Sequence, residues 1–364
     1  MSVAAGNKNH LIRLIAVVLT GILAGLSGMV LALILHAIQH LAFGYSYGQI
    51  VGSVSFLQGV TESSWPRRIV AIVAGGAVAG FGWWLLGRYG QRRVSIAAAV
   101  ANPCAPMPAG TTTIHALLQI VTVALGSPLG REVAPREMGA LGAGMVARKL
   151  RLLEDETRTL IACGAGAGLA AVYNVPLAGA LFSLEVMLLS FSWEKTLAAI
   201  MTSAIAAWTA TLGLGDESQY HFVSSALPHT FLWWAILAGP IPMQLALSDG
   251  LPLSMVAVLL VLKMVVILAV LRGGAEGGLL TPGLAVGGLV SLLLCALWQL
   301  GFPGGDKSSF AVVGAAAFLA ASMQMPLTAV ALVMEFTHMD HSYLAPALLC
   351  AAGAFLTCRV LDKK

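Results

Sequence analysis

Apolar residues run through this chain in long blocks, and polar positions fall mostly at the joins. Stretches 159–184, 277–305 and 308–334 carry no Asp, Glu, Lys or Arg, and each exceeds the roughly 20 apolar residues with which a helix crosses a bilayer. Backbone polar groups in lipid must bond internally, which leaves helices or closed barrels, and these runs lack the period-two alternation of barrel strands. The pattern predicts an all-α, polytopic membrane protein. Its helices are expected over 11–38, 68–87, 112–126, 137–150, 160–173, 176–191, 195–213, 230–247, 252–271, 283–300, 309–321, 326–338 and 343–360. The first run, Leu11 to about His36, is too long for a signal-peptide core and has no small-residue cleavage site, so it stays as a helix. No Lys or Arg lies between Arg13 and Arg67, whereas Arg88, Arg92 and Arg93 cluster behind the second span, which places the amino terminus on the cytoplasmic side.

The chain also matches itself at an offset of 150 residues. Gly164 to Leu177 aligns with Gly314 to Leu327, so that Pro176 meets Pro326, and farther along Glu185 meets Glu335. Chance accounts for paired alanines and glycines, but not for Pro-Leu and Glu recurring at one offset. The expected organisation is a single membrane domain over 1–364, made of two halves at about 67–213 and 230–360. Transporters are often built from two such halves, with the ion site at the midplane where helices are broken.

Each copy of the repeat is preceded by a glycine-rich break. The first runs from Gly126 to Pro135 and contains Gly130-Arg131-Glu132-Val133; the second runs from Gly273 to Pro282 and contains Gly278-Leu279-Leu280-Thr281. Glycine lets the backbone turn sharply and proline is favoured in a first helical turn, so both breaks predict helix starts with free N–H groups pointing forward. Such a start carries roughly half a positive charge, and two of them converging at the midplane bind an anion without a fixed cation.

Composition narrows the function. Of 364 residues, 58% are apolar and 10% charged, against about a quarter charged in a soluble domain. Forty glycines suit closely packed membrane helices. The net charge of +4 is scattered, with no basic cluster interleaved with aromatics, which argues against a nucleic-acid partner. Cys104, Cys163, Cys295, Cys350 and Cys358 lack CxxC spacing and read as small apolar residues rather than disulfides or metal ligands. No cofactor or metal is expected.

The same residues resemble a known family. Gly130-Arg131-Glu132 is similar to the Gly-Lys/Arg-Glu-Gly-Pro motif of CLC chloride channels and transporters, and Gly278 to Pro282 to their Gly-Phe/Ile-x-x-Pro. Tyr173 to Glu185, and Met325 to Thr337, resemble two further signatures, in the family's order, and the resemblance extends from the first helix to about residue 360. It implies two inverted halves of tilted, broken helices, a homodimer with one pore per subunit, and chloride or a related anion as the transported species. A multi-pass protein of a bacterial inner membrane, without enzymatic activity, is the expected setting. Glu132 is implied as the gate, a carboxylate that occupies an anion site and leaves when protonated or displaced. Backbone groups at Gly130, Arg131, Val133, Gly278, Leu279 and Leu280 are implied as the anion site.

Departures from the family set the open questions. Val133 and Ala134 replace the usual Gly-Pro, which moves the expected helix start towards Pro135. The family's pore serine has no clear match; ungapped placement puts Gln91 there, and a small shift offers Ser95. The helix that carries the family's inner tyrosine is missing from a chain ending at Lys364. Proton-coupled relatives carry a glutamate immediately after the position of Glu185, where this chain has Val186. Anion flow that is passive or weakly coupled to protons follows, with a chloride or fluoride antiporter as the alternative. Glu185 and Glu335 read as structural carboxylates of the repeat. A separate reading, an intramembrane serine protease, rests on Gly25-Leu26-Ser27-Gly28 and on His115, the one histidine inside a later apolar run, which has no evident orienting partner in the sequence.

Overall fold

The computed structural model describes residues 2–44, 59–60, 62–215, 252–302 and 307–361. Every regular element among them is helical. In chain order these are α1 (Ser2–Phe43), α2 (Trp65–Tyr89), α3 (Ile96–Ala101), α4 (Ala109–Ala124), α5 (Val133–Leu150), α6 (Glu154–Tyr173) and α7 (Pro176–Phe182). They continue with α8 (Trp193–Leu214), α9 (Leu253–Arg272), α10 (Leu280–Gln299), α11 (Lys307–Ser322), α12 (Pro326–Thr337) and α13 (Leu344–Leu361). Six helices among the described residues are long and apolar enough to cross a membrane. The helix expected over 230–247 lies outside the described residues.

Two compact units are distinguished. The first comprises residues 1–216 with the segment 274–277, and the second comprises 217–273 and 278–364. In the first unit α6 is buried from Leu160 to Tyr173, and its neighbours approach it through glycine. Carbon added at Gly164 meets the Gly139 carbonyl and the Ala143 methyl, and carbon added at Gly168 meets the Pro135 carbonyl of α5. Gly166 and Gly179 make the same approach between α6 and α7. Gly21 and Gly25 let α1 close on Ile205, Ala206 and Thr209 of α8. In lipid, where apolar burial does not drive association, this backbone-close packing is the main source of cohesion.

In the second unit α10 packs on α11, with Ser291 Oγ donating to the Phe310 carbonyl at 2.9 Å. Ser309 and Tyr343 share a buried hydrogen bond of 2.9 Å that ties α11 to the turn before α13. Cys163, Cys295 and Cys350 are buried, Cys104 is exposed, and none of the five cysteines forms a disulfide.

The repeat is visible in backbone conformation within each unit. Before Pro176, Asn174 is left-handed (φ 54) and Val175 has φ −127, ψ 70; before Pro326, Gln324 is left-handed (φ 55) and Met325 has φ −134, ψ 66. Both proline-started helices end on a left-handed residue, Leu189 and His338. Those two positions differ by 149 rather than 150, so the first copy holds one extra residue. It is taken up by a π-helical turn over Ser183–Leu188, since widening one turn absorbs an inserted residue without breaking the helix.

Candidate functional site

In the first unit the chain leaves α4 through a turn at Gly126 (φ 106) and enters α5 at Val133, with Glu132 as the residue before the helix. The expected later start near Pro135 is corrected here. Val133 adopts helical geometry without strain, so the free N–H groups of the helix start lie immediately after Glu132. Glu132 is completely buried. Its carboxylate folds back over Gly130, so that a β-carbon there would fall on both carboxylate oxygens and displace the side chain.

Three side chains surround the carboxylate's end of the helix. Tyr173, the last residue of α6, donates its hydroxyl to Glu132 Oε2 at 3.2 Å. Arg131 stacks over the Tyr173 ring at 5.1 Å. Arg136 Nε donates to the Glu132 main-chain oxygen at 3.2 Å, and its guanidinium lies 5.0 Å over Phe182. A buried carboxylate beside unpaired helix-start donors occupies a place that suits an exchangeable anion.

The second unit supplies a comparable start. Leu279 precedes α10, Gly278 and Leu280 are buried, and Leu279 is exposed. Gly283 N donates to Leu279 O at 2.8 Å, so the helix is hydrogen-bonded from its first turn.

Gln91, the expected ungapped match to the family's serine, lies outside the helices and its N–H donates to Thr111 Oγ1 at 3.0 Å. Ser95 is the residue that stands at a helix start, accepting from Ala98 N at 3.2 Å at the head of α3. The expectations did not include this short helix.

His115, expected to lack an orienting partner, has several, and this is a second correction. Its Nδ1 lies 2.8 Å from Glu137 Oε2 and 2.8 Å from Gln119 Nε2; its Nε2 lies 3.0 Å from Glu276 Oε2 and also contacts Arg93. Sequence reasoning passed over Glu137 and Glu276. The signal was available, because a carboxylate inside a charge-poor membrane segment is a functional hypothesis by default. Ser27, by contrast, donates to Ala24 O within its own helix at 3.0 Å, and Gly25 and Gly28 are used in packing on Ala206 and Ala171. Nothing in that geometry resembles a nucleophile and base.

Comparison with known proteins gives concordant findings. The model of the voltage gated chloride channel family matches residues 70–242 and 239–359. A voltage-gated ClC-type chloride channel ClcB of Salmonella typhimurium is 27% identical, with 93% of this chain and 94% of that protein covered. A putative chloride channel protein ClcB-like of Ralstonia nicotianae is 25% identical over 80% of this chain and 82% of its own. Among solved structures, a slow cyanobacterial Cl−/H+ antiporter superposes with a TM-score of 0.77 at 18% identity, covering 97% of this chain and 95% of that one. A CLC-type fluoride/proton antiporter superposes with a TM-score of 0.66 at 17% identity, covering 95% and 96%.

Proposed function

The chain belongs to the voltage-gated chloride channel family and transports anions across a membrane as a multi-pass protein; within that activity we propose that it carries chloride along a pathway gated by the Glu132 carboxylate. The observation that carries this reading is the buried Glu132 side chain folded over Gly130 at the start of α5, where helix-start donors await an anion. Release of the carboxylate, by protonation or by displacement, opens the position to chloride. Backbone donors at Gly130, Arg131 and Val133, and those at Gly278, Leu279 and Leu280, bind the ion weakly enough to let it pass. Ser95 is a better candidate than Gln91 for the missing serine, because it stands at a helix start.

With Val186 in place of a second glutamate, the usual internal proton donor is absent, and the flow of anions is uncoupled from stoichiometric proton movement. The membrane domain is read as two halves of one inverted repeat, at about 67–213 and 230–360. The assembly is a homodimer in a bacterial inner membrane.

Bromide-soaked crystals test the anion site. Anomalous density is expected at the start of α5 or α10, strengthened in Glu132→Gln; density at neither start in both proteins removes the site. A milder variant tests the hold on the gate. Tyr173→Phe deletes a hydrogen bond to a charged acceptor, an interaction worth about 1.5–3 kcal/mol. It is expected to raise chloride flux in liposomes by about tenfold or more, since each 1.4 kcal/mol is roughly tenfold. Flux unchanged by Tyr173→Phe removes the hydroxyl from the gate.

A further inference from the structure

Five side chains of the first unit meet where α4, α5 and the segment 274–277 pack together, and the gate does not use them. His115 is 2% exposed and lies at the centre. Each ring nitrogen faces a carboxylate, Nδ1 that of Glu137 at 2.8 Å and Nε2 that of Glu276 at 3.0 Å. Arg93 contacts both Nε2 and Glu276 Oε2. Gln119, 1% exposed, places Nε2 at 2.8 Å from Nδ1 and 3.3 Å from Glu137 Oε2, while its Oε1 has no partner among the described residues.

These contacts supply partners for the imidazolium and for both neutral tautomers of the ring. With a proton on both nitrogens, the ring donates to Glu137 and to Glu276, and Arg93 donates to Glu276. With a proton on Nδ1 alone, the ring donates to Glu137 and Nε2 accepts from Arg93, which can only donate. With a proton on Nε2 alone, the ring donates to Glu276 and Nδ1 accepts from the Gln119 amide. A ring held for structure needs one such set; this one has three, and the unmatched Gln119 Oε1 is a spare acceptor for Nδ1–H if the amide turns over.

The surroundings confine the charge to those groups. The ionisable groups that act on the ring are Glu137, Glu276 and Arg93. Trp83 of α2 covers it with ring centroids 6.3 Å apart. On α5, Arg136 lies beside Glu137 and faces Glu132 as well. Helix α1 packs on α4 through Leu31 and Leu35, and its His36 and His40 lie in range of each other, with Arg131 near His36.

Both proposed anion-binding helix starts are tied to this cluster through the chain. Glu137 lies five residues after Glu132 on α5, and Glu276 lies three residues before Leu279. The segment 274–277 also bears on the loop before the gate, where carbon added at Gly277 would approach Leu129 Cβ to 2.7 Å. We propose that His115, Glu137 and Glu276 form a proton-binding site whose occupancy regulates the anion pathway. The site holds one exchangeable proton without carrying it across the membrane. Taking up the proton converts the neutral ring to an imidazolium that pairs with both carboxylates at once, tightening 274–277 against α4 and α5. Losing it leaves one carboxylate without its ring partner and loosens one of the two helix starts. This rests on the reading of those starts as the anion pathway.

The test uses chloride efflux from liposomes in the Glu132→Gln background, where the gate no longer titrates. A residual pH dependence is expected between about pH 5 and 8, and adding His115→Gln is expected to shrink that change about threefold or more. Glu137→Gln serves the same purpose if His115→Gln does not fold. Residual pH dependence that survives both substitutions, or none in Glu132→Gln alone, overturns the proposal. Nitrogen-15 NMR of histidine-labelled wild type reads the ring directly, with His115→Gln identifying its signals. Ring signals that shift with one proton support the site, and a proton count constant across the range overturns it. Because this second readout needs no flux, an absence of chloride efflux counts against the transport reading alone.

Discussion

Glu132→Gln is expected to raise the chloride flux of reconstituted protein about tenfold or more and to remove the larger part of its pH dependence. The glutamine imitates the protonated carboxylate: it is nearly the same size but carries no charge to compete with an anion. Removing a competing charge worth about 1.4 kcal/mol changes the anion's occupancy about tenfold. The burial of Glu132 and its fold-back over Gly130 mean that little solvent screens this competition. Chloride-electrode traces of wild type and variant across pH read both effects. An unchanged rate with an unchanged pH profile takes the gating role away from Glu132.

Gly168→Val is expected to cost the most in stability. The α-carbon of Gly168 lies against the first turn of α5, and an added β-carbon would meet the Pro135 carbonyl oxygen and carbon and, at 2.9 Å, the Arg136 nitrogen. These are backbone atoms that no rotamer change can move. Overpacking a tight contact costs about 1–3 kcal/mol and at times more, so thermal stability and the yield of monodisperse protein fall sharply. Gly142→Ala is the control, because its added carbon finds Leu23 at an ordinary 3.7 Å. Equal melting of the two variants means that α5 and α6 do not depend on this approach.

The fold was readable because lipid imposes so strong a rule on sequence. Long charge-free runs admitted only helices, and the observed bounds of α2, α8, α9 and α11 fall within a few residues of those expected. Pro176 and Pro326, with Glu185 and Glu335, exposed the repeat, and the backbone angles before each proline repeat with them. What periodicity missed was local. Helix α3 is six residues of small apolar side chains, too short to show a period, and the π turn at Ser183–Leu188 leaves no mark on hydropathy. Glu132 and Gly130 could be singled out as candidates because one motif holds them together. His115, Glu137 and Glu276 were not grouped, because they come from three separate segments and only the packing of α4, α5 and 274–277 brings them into contact. Counting from Glu132 places Gln91 at the serine position, whereas the residue that stands at a helix start is Ser95.

The most direct test of the account records chloride and protons together from liposomes containing the wild-type protein, loaded with chloride and made permeable to potassium. Chloride efflux well above that of protein-free liposomes is the predicted result, with no uphill movement of protons at a fixed ratio to chloride. Protons driven uphill at a constant ratio by the chloride gradient contradict it, making the protein an antiporter whose internal proton donor is not the residue at Val186.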